Sequence, residues 1–344
     1  MGKNPLQMRC IKLSPCSISV LGAGSWGTAL AILLAKNGHQ VLLWGRNKEK
    51  ISAMQEAREN LYFLPGIPFP ETLNITSDLE SAVTQSEELL VVVPSHAFQD
   101  TLSKIKAIKP QIQYLSWATK GLEPKTHQLL HQIVAEEFPQ LPHQAVISGP
   151  TFAREVAMGL PTAVTIAAND MDYANHLAKM LSNATFRPYV SQDMAGLEIG
   201  GAAKNVMAIA AGIADGLGYG ANTRSALITR GLHEIGRLSS KMGGENKTLM
   251  GLSGLGDLLL TCTDDQSRNR RMGLAIGKGI SIEQAAKEIN QVVEGVQAAK
   301  LIHSLAKEKE IEMPIIEQVY QVLYHDLAPQ KAVQNLLTRE YKTE

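Results

Sequence analysis

A lysine interrupts one of the most apolar segments of the chain. Lys204 lies between residues 200–203 (GGAA) and 206–211 (VMAIAA), in a segment of helical composition. An unpaired ammonium buried there is costly. Such a lysine extends its amine to the surface, pairs with a carboxylate such as Asp257, or has its pKa lowered by burial so that it exchanges protons. A structural ion pair and a proton-transfer group are both open interpretations. The adjacent Asn205 offers a donor and an acceptor to a polar ligand.

A second polar cluster opens a predicted helix over residues 268–278. Ser267, Arg268 and Asn269 bring a hydroxyl, a guanidinium and an amide to the helix N-terminus, which suits a phosphate monoester. Two aspartates just before the cluster argue against a nucleic-acid patch. The alternative interpretation is an N-cap serine followed by a solvated basic turn.

A glycine-rich turn near the start of the chain has the pattern of a nucleotide site. Gly22, Gly24 and Gly27 lie between apolar residues 18–21 and a helical segment at 28–36. In a dinucleotide-binding turn the three glycines permit the tight turn, the approach of a pyrophosphate and the packing of helix on strand. The helix N-terminus then faces the anion. An ordinary glycine-rich connection is the alternative.

The segment that selects between NAD and NADP has no acid. An acidic residue about 20 positions beyond the glycines binds the ribose 2′-hydroxyl in NAD-selective sites. Here residues 43–47 read LWGRN. Arg46 can pair with a 2′-phosphate instead, so NADPH is favoured and NADH stays acceptable. A solvated arginine after a strand is the competing interpretation.

Polar or conformationally special residues also follow three predicted strands. Pro94 and Ser95 follow one strand, Lys120 follows the next, and Gly149 and Thr151 follow a third. Open α/β sheets bind ligands beyond the carboxyl ends of their strands. Lys120 is therefore either a ligand-binding group or an ordinary surface charge.

The bulk composition is that of a neutral globular protein. The 344 residues include 33 Lys+Arg and 33 Asp+Glu, so bulk charge does not favour nucleic acid as a partner. Cys10, Cys16 and Cys262 lack CxxC spacing, which predicts neither a disulfide framework nor a zinc site and fits a reducing cytoplasm. The histidines are scattered, and no metal site is predicted. Residues 206–214 are too short for a membrane span, and residues 1–15 lack the apolar core of a secretory signal.

The first half of the chain alternates short apolar runs with helical stretches. Strands are predicted at residues 18–21, 40–44, 89–93, 113–118, 145–148, 163–168 and 186–190. Helices are predicted between them at residues 25–36, 78–84, 99–108 and 125–136. Runs that are apolar throughout are typical of parallel strands covered on both faces. We therefore predict an α/β fold with a Rossmann-like doubly wound sheet.

Beyond residue 192 the strand patterns stop and helical composition takes over. Helices are predicted at residues 196–217, 222–241, 251–260, 268–278, 281–289, 295–307 and 314–324. We predict a loose N-terminal leader at residues 1–15, a dinucleotide-binding Rossmann-like domain at 16–192, and an all-helical C-terminal substrate domain at 193–344.

Five motifs along the chain form one pattern. They are GAGSWG at residues 22–27, ATKGLEP at 118–124, SGPTFA at 148–153, GLSGLGDLLLTCTDDQSRNRR at 251–271 and VEG at 293–295. In this order they resemble the bacterial-type NAD(P)-dependent glycerol-3-phosphate dehydrogenase family, over almost the whole chain after the leader. Thr151 stands where the family commonly has serine and keeps the hydroxyl. The leader has no recognised counterpart.

The resemblance implies a cofactor, NADPH or NADH, in the first domain and a small phosphorylated substrate at the junction with the second. The residues implied to contact the cofactor are Gly22, Gly24, Ser25, Trp26, Gly27, Arg46, Lys120, Ala153, Arg268, Val292 and Glu294. Those implied to surround the substrate are Lys120, Gly149, Thr151, Lys204, Asp257, Ser267, Arg268 and Asn269.

The implied reaction is the reversible reduction of dihydroxyacetone phosphate to sn-glycerol 3-phosphate. The ketone accepts a hydride at C2, which leaves an alkoxide to neutralise and a phosphate to hold. Lys204 would supply the proton, Lys120 would polarise the oxygen and Asp257 would orient Lys204. Arg268 and Asn269 would clamp the phosphate. The resemblance also implies a cytoplasmic homodimer that supplies phospholipid synthesis.

Two other interpretations remain open at this point. Hydroxyacid and 6-phosphogluconate-type dehydrogenases also join a Rossmann domain to a helical one and use a lysine. A redox sensor would bind NAD(P)H without turning over a substrate. The Ser267-Arg268-Asn269 cluster favours a small phosphorylated substrate, and Lys204 together with Asp257 favours catalysis.

Overall fold

The computed structural model describes residues 16–340. Eight strands form one sheet: β1 (Ser17–Leu21), β2 (Gln40–Trp44), β3 (Leu73–Thr76), β4 (Glu88–Val91), β5 (Tyr114–Trp117), β6 (His143–Ser148), β7 (Thr162–Ala168) and β8 (Phe186–Ser191). Their order across the sheet is β3-β2-β1-β4-β5-β6-β7-β8. The first six strands follow the Rossmann order, and the predicted fold class is confirmed. The leader predicted at residues 1–15 lies outside the described residues.

Helices cover both faces of this sheet. They are α1 (Ser25–Lys36), α2 (Lys48–Ala57), α3 (Leu79–Thr84), α4 (Phe98–Ile108), α5 (Leu130–Glu137), α6 (Ala153–Met158) and α7 (Met171–Leu181). One apolar core joins the sheet to α1, α6 and α7, and a second core joins its other face to α3, α4 and α5. Because both faces are covered, strand residues are buried without alternation, as in β4, where all four residues are buried.

The register of the parallel strands brings their carboxyl ends to one edge. Val20 of β1 lies between Leu43 of β2 and Leu90 of β4. The glycine turn follows β1, and a short 3₁₀ turn, Ser95–Ala97, follows β4. The strand order reverses between β1 and β4, which is where open α/β sheets bind ligands.

The described part of the second domain is helical. Its helices are α8 (Met194–Gly216), α9 (Ala221–Lys241), α10 (Asn246–Leu249), α11 (Asp257–Thr263), α12 (Arg268–Gly277), α13 (Ile282–Ile289), α14 (Glu294–Glu308), α15 (Pro314–Tyr324) and α16 (Pro329–Leu337). Every residue of α8 from Gly196 to Ala214 is buried. In residues 16–340 α8 is the one helix long and apolar enough to cross a membrane, and its apolar stretch is entirely buried inside the protein. It is therefore the core helix against which α9, α10, α11, α12, α14 and α15 pack.

Two predicted helices differ from the structure because polar groups or backbone geometry interrupt them. The helix expected at residues 125–136 begins at Leu130. Before it, the Glu123 carboxylate accepts hydrogen bonds from the Lys125 and Thr126 amides, and His127 is left-handed with φ +58°. The helix expected at residues 251–260 is instead a π-helical turn, Leu252–Gly256, that leads into α11.

The sheet also contains features that the apolar pattern did not predict. β3 was missed because it is a short edge strand in which polar residues alternate with buried Leu73 and Ile75. β7 runs antiparallel to β6 although the pattern predicted parallel strands. Both β7 faces are covered, so its apolar run carries no information about direction.

An acid and a histidine are paired at the amino end of the sheet, opposite the glycine turn. Glu88, the first residue of β4, is 2% exposed and accepts hydrogen bonds from the Tyr173 hydroxyl at 3.0 Å and His176 Nε2 at 2.8 Å. The hydrogen bond to Glu88 is the largest effect on the His176 pKa and raises it above its usual value. This contact ties α7 to the centre of the sheet.

We expect His176→Gln to lose stability mainly at acidic pH. A histidine whose pKa is raised by folding stabilises the protein below its unfolded pKa of about 6.5, and this contribution is lost as pH rises through the folded pKa. Urea unfolding between pH 5.5 and 8.5 should therefore show the wild type exceeding His176→Gln most at the acidic end. A difference independent of pH would contradict this linkage.

Candidate active site

The glycine turn is built from backbone contacts that exclude side chains. Gly22 has φ +132°, and a Cβ there would lie 2.5 Å from the Val92 carbonyl oxygen. A Cβ at Gly27 would lie 1.9 Å from the Gly22 carbonyl oxygen. Gly24 is the N-cap of α1, and a Cβ there would have no atom of residues 16–340 within 4 Å apart from those of its two chain neighbours. The turn is thus closed on its inner side and open beside the helix N-terminus, which fits an approaching pyrophosphate.

Two more of the implied cofactor residues lie next to this turn. Ser25 and Trp26 are the first residues of α1. Trp26 Nε1 is buried with no hydrogen-bond partner within residues 16–340. Arg46 follows β2 and is exposed, and the Gly22 amide donates to the Trp44 carbonyl at 2.9 Å, so the ends of β1 and β2 are adjacent.

Lys120 links two strand ends to the helical domain. It follows β5, and its Nζ donates to the Gly149 carbonyl at 3.2 Å and to Asp257 Oδ2 at 2.7 Å. Thr151 Oγ1 donates to the same Gly149 carbonyl at 3.2 Å. Gly149 has φ +153° and packs against Val164 of β7, which leaves its carbonyl turned toward the lysine.

Asp257 also binds the second lysine. Lys204 Nζ donates to Asp257 Oδ1 at 2.5 Å and to Thr261 Oγ1 at 3.0 Å. Thr261 lies one turn beyond Asp257 on α11 and donates its hydroxyl proton to the Asp257 carbonyl at 2.6 Å, which leaves a lone pair for Lys204. One carboxylate, 1% exposed, therefore holds two ammonium groups, from the sheet edge and from α8.

These contacts shift the pKa values in a direction that suits proton transfer. Burial lowers the Lys204 pKa to about 8, and the nearby Lys120 charge adds to this while Asp257 opposes it. Burial alone would raise the Asp257 pKa, but the two ammonium groups outweigh it and hold the pKa below its usual value. Asp257 therefore stays ionised, and Lys204 changes protonation at about pH 8.

The N-terminus of α12 lies beside this group. Ser267 is its N-cap and accepts the Arg270 amide at 3.2 Å. Asn269 Nδ2 donates to Asn205 Oδ1 at 2.9 Å, and Asn269 Oδ1 accepts the Gly295 amide at 2.8 Å. Both the nitrogen and the oxygen of the Asn269 side-chain amide thus have partners within the protein. The backbone amide of Asn269, at the helix N-terminus, is therefore better placed than its side chain to bind a phosphate.

A small cavity connects the two domains at this point. It has a volume of about 40 Å³ and is lined by residues from both, among them Ser95, Lys120, Asn205, Val292 and Glu294. Val292 is 61% exposed at its mouth. A larger cavity of about 410 Å³ lies between α9, α15 and α16 and contains none of the implied site residues. The smaller cavity is therefore the candidate active site, because it is the one lined by implied site residues.

Not every implied residue contacts the lysines. Ala153 is the first residue of α6. Arg46 follows the carboxyl end of β2. Arg268 donates to Gln291 Oε1 at 3.4 Å. Glu294 accepts from Asn205 Nδ2 at 3.4 Å, which ties the start of α14 to α8. In residues 16–340 no three His, Cys, Asp or Glu side chains are grouped as metal ligands.

Comparisons with known proteins match this architecture. A family model described as NAD-dependent glycerol-3-phosphate dehydrogenase N-terminus matches residues 17–174, and the corresponding C-terminus model matches residues 193–334. The chain belongs to the NAD-dependent glycerol-3-phosphate dehydrogenase family.

Relatives and solved structures agree over almost the full length. Glycerol-3-phosphate dehydrogenase [NAD(P)+] of Pseudoalteromonas translucida is 52% identical over 95% of this chain and 98% of its own. The Nitrosococcus oceani protein of the same name is 54% identical, over 94% of each chain. The crystal structure of glycerol-3-phosphate dehydrogenase from Coxiella burnetii has a TM-score of 0.92 at 48% identity and covers 94% of this chain and 99% of that one.

Sequence reasoning did not single out Thr261. The feature that could have identified Thr261 is its spacing of four residues from Asp257, which puts both side chains on one face of a helix. That signal was hidden because the helix was expected to end at residue 260, whereas α11 continues to Thr263.

We expect Asp257→Asn to destabilise the folded protein strongly. The substitution leaves two ammonium groups close together in a buried site without a counter-charge, and loss of one partner of a buried ion pair costs about 3–5 kcal/mol. Urea unfolding at pH 7 measures the change. The control is Asp265→Asn, which removes a carboxylate that pairs with Arg270 and is 77% exposed, and should cost under about 1 kcal/mol. Equal losses in the two variants would refute the buried bridge.

Proposed function

We propose that this protein reduces dihydroxyacetone phosphate to sn-glycerol 3-phosphate with hydride from NADPH or NADH, reversibly. The observation that carries the proposal is the buried Asp257 between Lys120 and Lys204, beside the N-terminus of α12. The group combines a proton donor of lowered pKa with an anion-binding helix end, as a keto phosphate requires. The names of relatives about half identical to the chain support the same reaction.

The proposed cofactor residues surround the glycine turn and the domain junction. They are Gly22, Gly24, Ser25, Trp26, Gly27, Arg46, Lys120, Ala153, Arg268, Val292 and Glu294. The open side of Gly24 suits the pyrophosphate, and the exposed Arg46 suits a 2′-phosphate, so we propose a preference for NADPH. When bound, the nicotinamide supplies the hydride.

The proposed substrate residues act on opposite ends of the molecule. Lys204 donates a proton from Nζ to the C2 oxygen as the carbonyl electron pair moves onto it, and its neutral amine takes a proton back from solvent. Lys120 polarises the same oxygen, and Asp257 positions both lysines. Ser267, Arg268 and the Asn269 backbone hold the phosphate, while Gly149 and Thr151 line the sheet side.

We propose residues 16–192 as the dinucleotide-binding domain and 193–344 as the substrate domain. The small cavity and the lysine bridge both lie where these parts meet. A cytoplasmic homodimer that supplies phospholipid synthesis and inserts into no membrane is proposed on the resemblance and on the scattered cysteines, which fit a reducing compartment.

The first test is oxidation of NADPH, and separately of NADH, by purified protein and dihydroxyacetone phosphate, followed by absorbance. We expect turnover with both and a preference for NADPH that Arg46→Ala reduces about tenfold, since a charged hydrogen bond contributes about 1.5–3 kcal/mol. Lys48→Ala, at the start of the adjacent α2, is the control for local positive charge. Folded protein that binds NADPH but oxidises neither cofactor would point to a redox sensor or another substrate.

Lys204→Ala should abolish most turnover while NADPH binding stays close to wild type. General acid catalysis contributes about 100 to 10,000-fold, which is the expected loss in kcat. In the wild type, reduction needs the ammonium and should slow as pH rises through about 8, whereas oxidation of glycerol 3-phosphate needs the free amine and should accelerate there. Lys247→Ala, an exposed lysine on α10, is the control. Near-normal kcat in folded Lys204→Ala would rule out the assigned role.

A further inference from the structure

Helices α8 and α12 run side by side in the same direction. Asn205 on α8 hydrogen-bonds Asn269 on α12. One turn further along both helices, a Cβ at Gly273 would meet the Ile209 carbonyl oxygen, and another turn on, a Cβ at Gly277 would meet the Ile213 carbonyl oxygen. The partner numbers rise together in steps of four, so the two helices are parallel and in a fixed register.

Four glycines make this contact unusually close. A Cβ at Gly273 would lie 2.1 Å from the Ile209 oxygen, and one at Gly277 would lie 2.4 Å from the Ile213 oxygen. In the other direction, a Cβ at Gly212 would lie 2.2 Å from the Arg270 oxygen, and one at Gly216 would lie 2.5 Å from the Leu274 oxygen. Every one of these nearest atoms belongs to the backbone, so no side-chain movement makes room for a methyl group.

The register of the two helices places Lys204 of α8 beside the N-terminus of α12. Lys204 precedes Asn205 on α8, and Arg268 precedes Asn269 at the start of α12. The Asn205–Asn269 bond therefore joins the proton-donating helix to the phosphate-binding helix end directly at the site. The glycine contacts let the two helix backbones pack directly against each other, and this packing sets the separation of α8 and α12.

We propose that the glycine-packed contact between α8 and α12 determines the substrate length that the enzyme accepts. By fixing the distance from Lys204 to the α12 N-terminus, it selects a phosphate one carbon from the ketone. Gly212 and Gly273 are positioning residues in this role. The proposal rests on the proposed function and adds to it the reason for chain-length selection.

Length selection of this kind acts on kcat more than on binding. A keto phosphate with one more methylene still places its phosphate on α12, but its carbonyl is then displaced from Lys204. Misplacement by about 1 Å costs on the order of 100-fold in rate. A role limited to stability would instead leave the ratio of rates for the two substrates unchanged in any folded variant.

The first experiment uses the wild type with two substrates and NADPH. Dihydroxyacetone phosphate is compared with 4-hydroxy-3-oxobutyl phosphate, its homologue with one extra methylene between ketone and phosphate. We expect kcat to fall about 100-fold for the homologue with a much smaller change in KM. Similar kcat values would overturn the proposal. Absence of turnover with dihydroxyacetone phosphate itself would instead refute the proposed function.

The second experiment measures the same ratio in Gly273→Ala. The methyl group pushes α12 from α8, so the kcat ratio of the short to the long substrate should fall about tenfold. Gly236→Ala is the matched control, because this helical glycine in α9 has its nearest contact to an added Cβ at 3.4 Å, from the Asn246 side chain. It should leave both rates unchanged.

An unchanged ratio in folded Gly273→Ala, with both rates reduced equally, would show a purely structural contact and overturn the proposal. If Gly273→Ala does not fold, as judged by circular dichroism, the ratio is measured in Gly277→Ala, one turn further from the site. A smaller fall in the ratio is expected there, and an unchanged ratio in that variant would overturn the proposal as well.

Discussion

The site depends on one buried carboxylate that neutralises two ammonium groups. Asp257 faces Lys120 through one oxygen and Lys204 through the other. Two positive charges share one negative charge, so the site carries an excess of positive charge when both lysines are protonated. Burial disfavours the protonated form of Lys204 and lowers its pKa, and the Lys120 charge adds to this effect while Asp257 opposes it. The same carboxylate therefore ties the sheet edge to α8 and keeps both lysines at one place.

The packing of α8 explains how three distant segments meet at this carboxylate. Glycines on α8 allow each partner to approach its backbone. Gly200 faces the Ser253 carbonyl in the π-helical turn before Asp257, and Gly201 faces the aliphatic stem of Lys120. A Cβ at Gly200 would lie 2.6 Å from that carbonyl oxygen, so a larger side chain there would push the turn that leads to Asp257 away from α8. The small residues in α8 thus allow neighbouring segments to approach its backbone, in addition to being buried.

The sheet and the helical domain each contribute different residues to the site. Parallel strands bring the glycine turn, Lys120 and Gly149 to one edge, where helix and loop starts are exposed. The helical domain adds Lys204 on α8, its counter-charge Asp257 on α11 and the N-terminus of α12. Neither part contains the whole group, because Lys120 comes from the sheet edge whereas Asp257 and Lys204 come from the helical domain.

Local pattern was enough to determine several elements from the sequence. The predicted bounds of α1, β2 and α15 agree with the structure, because a glycine turn, a short apolar run and an N-terminal proline define them locally. The glycine motif and the Ser267 cap were likewise readable, since turns and caps depend on neighbours in sequence. Only the tertiary structure decided the direction of β7, the sharing of Asp257 by lysines 137 and 53 residues away, and the internal engagement of Asn269. These features depend on which segments pack together, and apolar periodicity records that a face is buried without recording its partner.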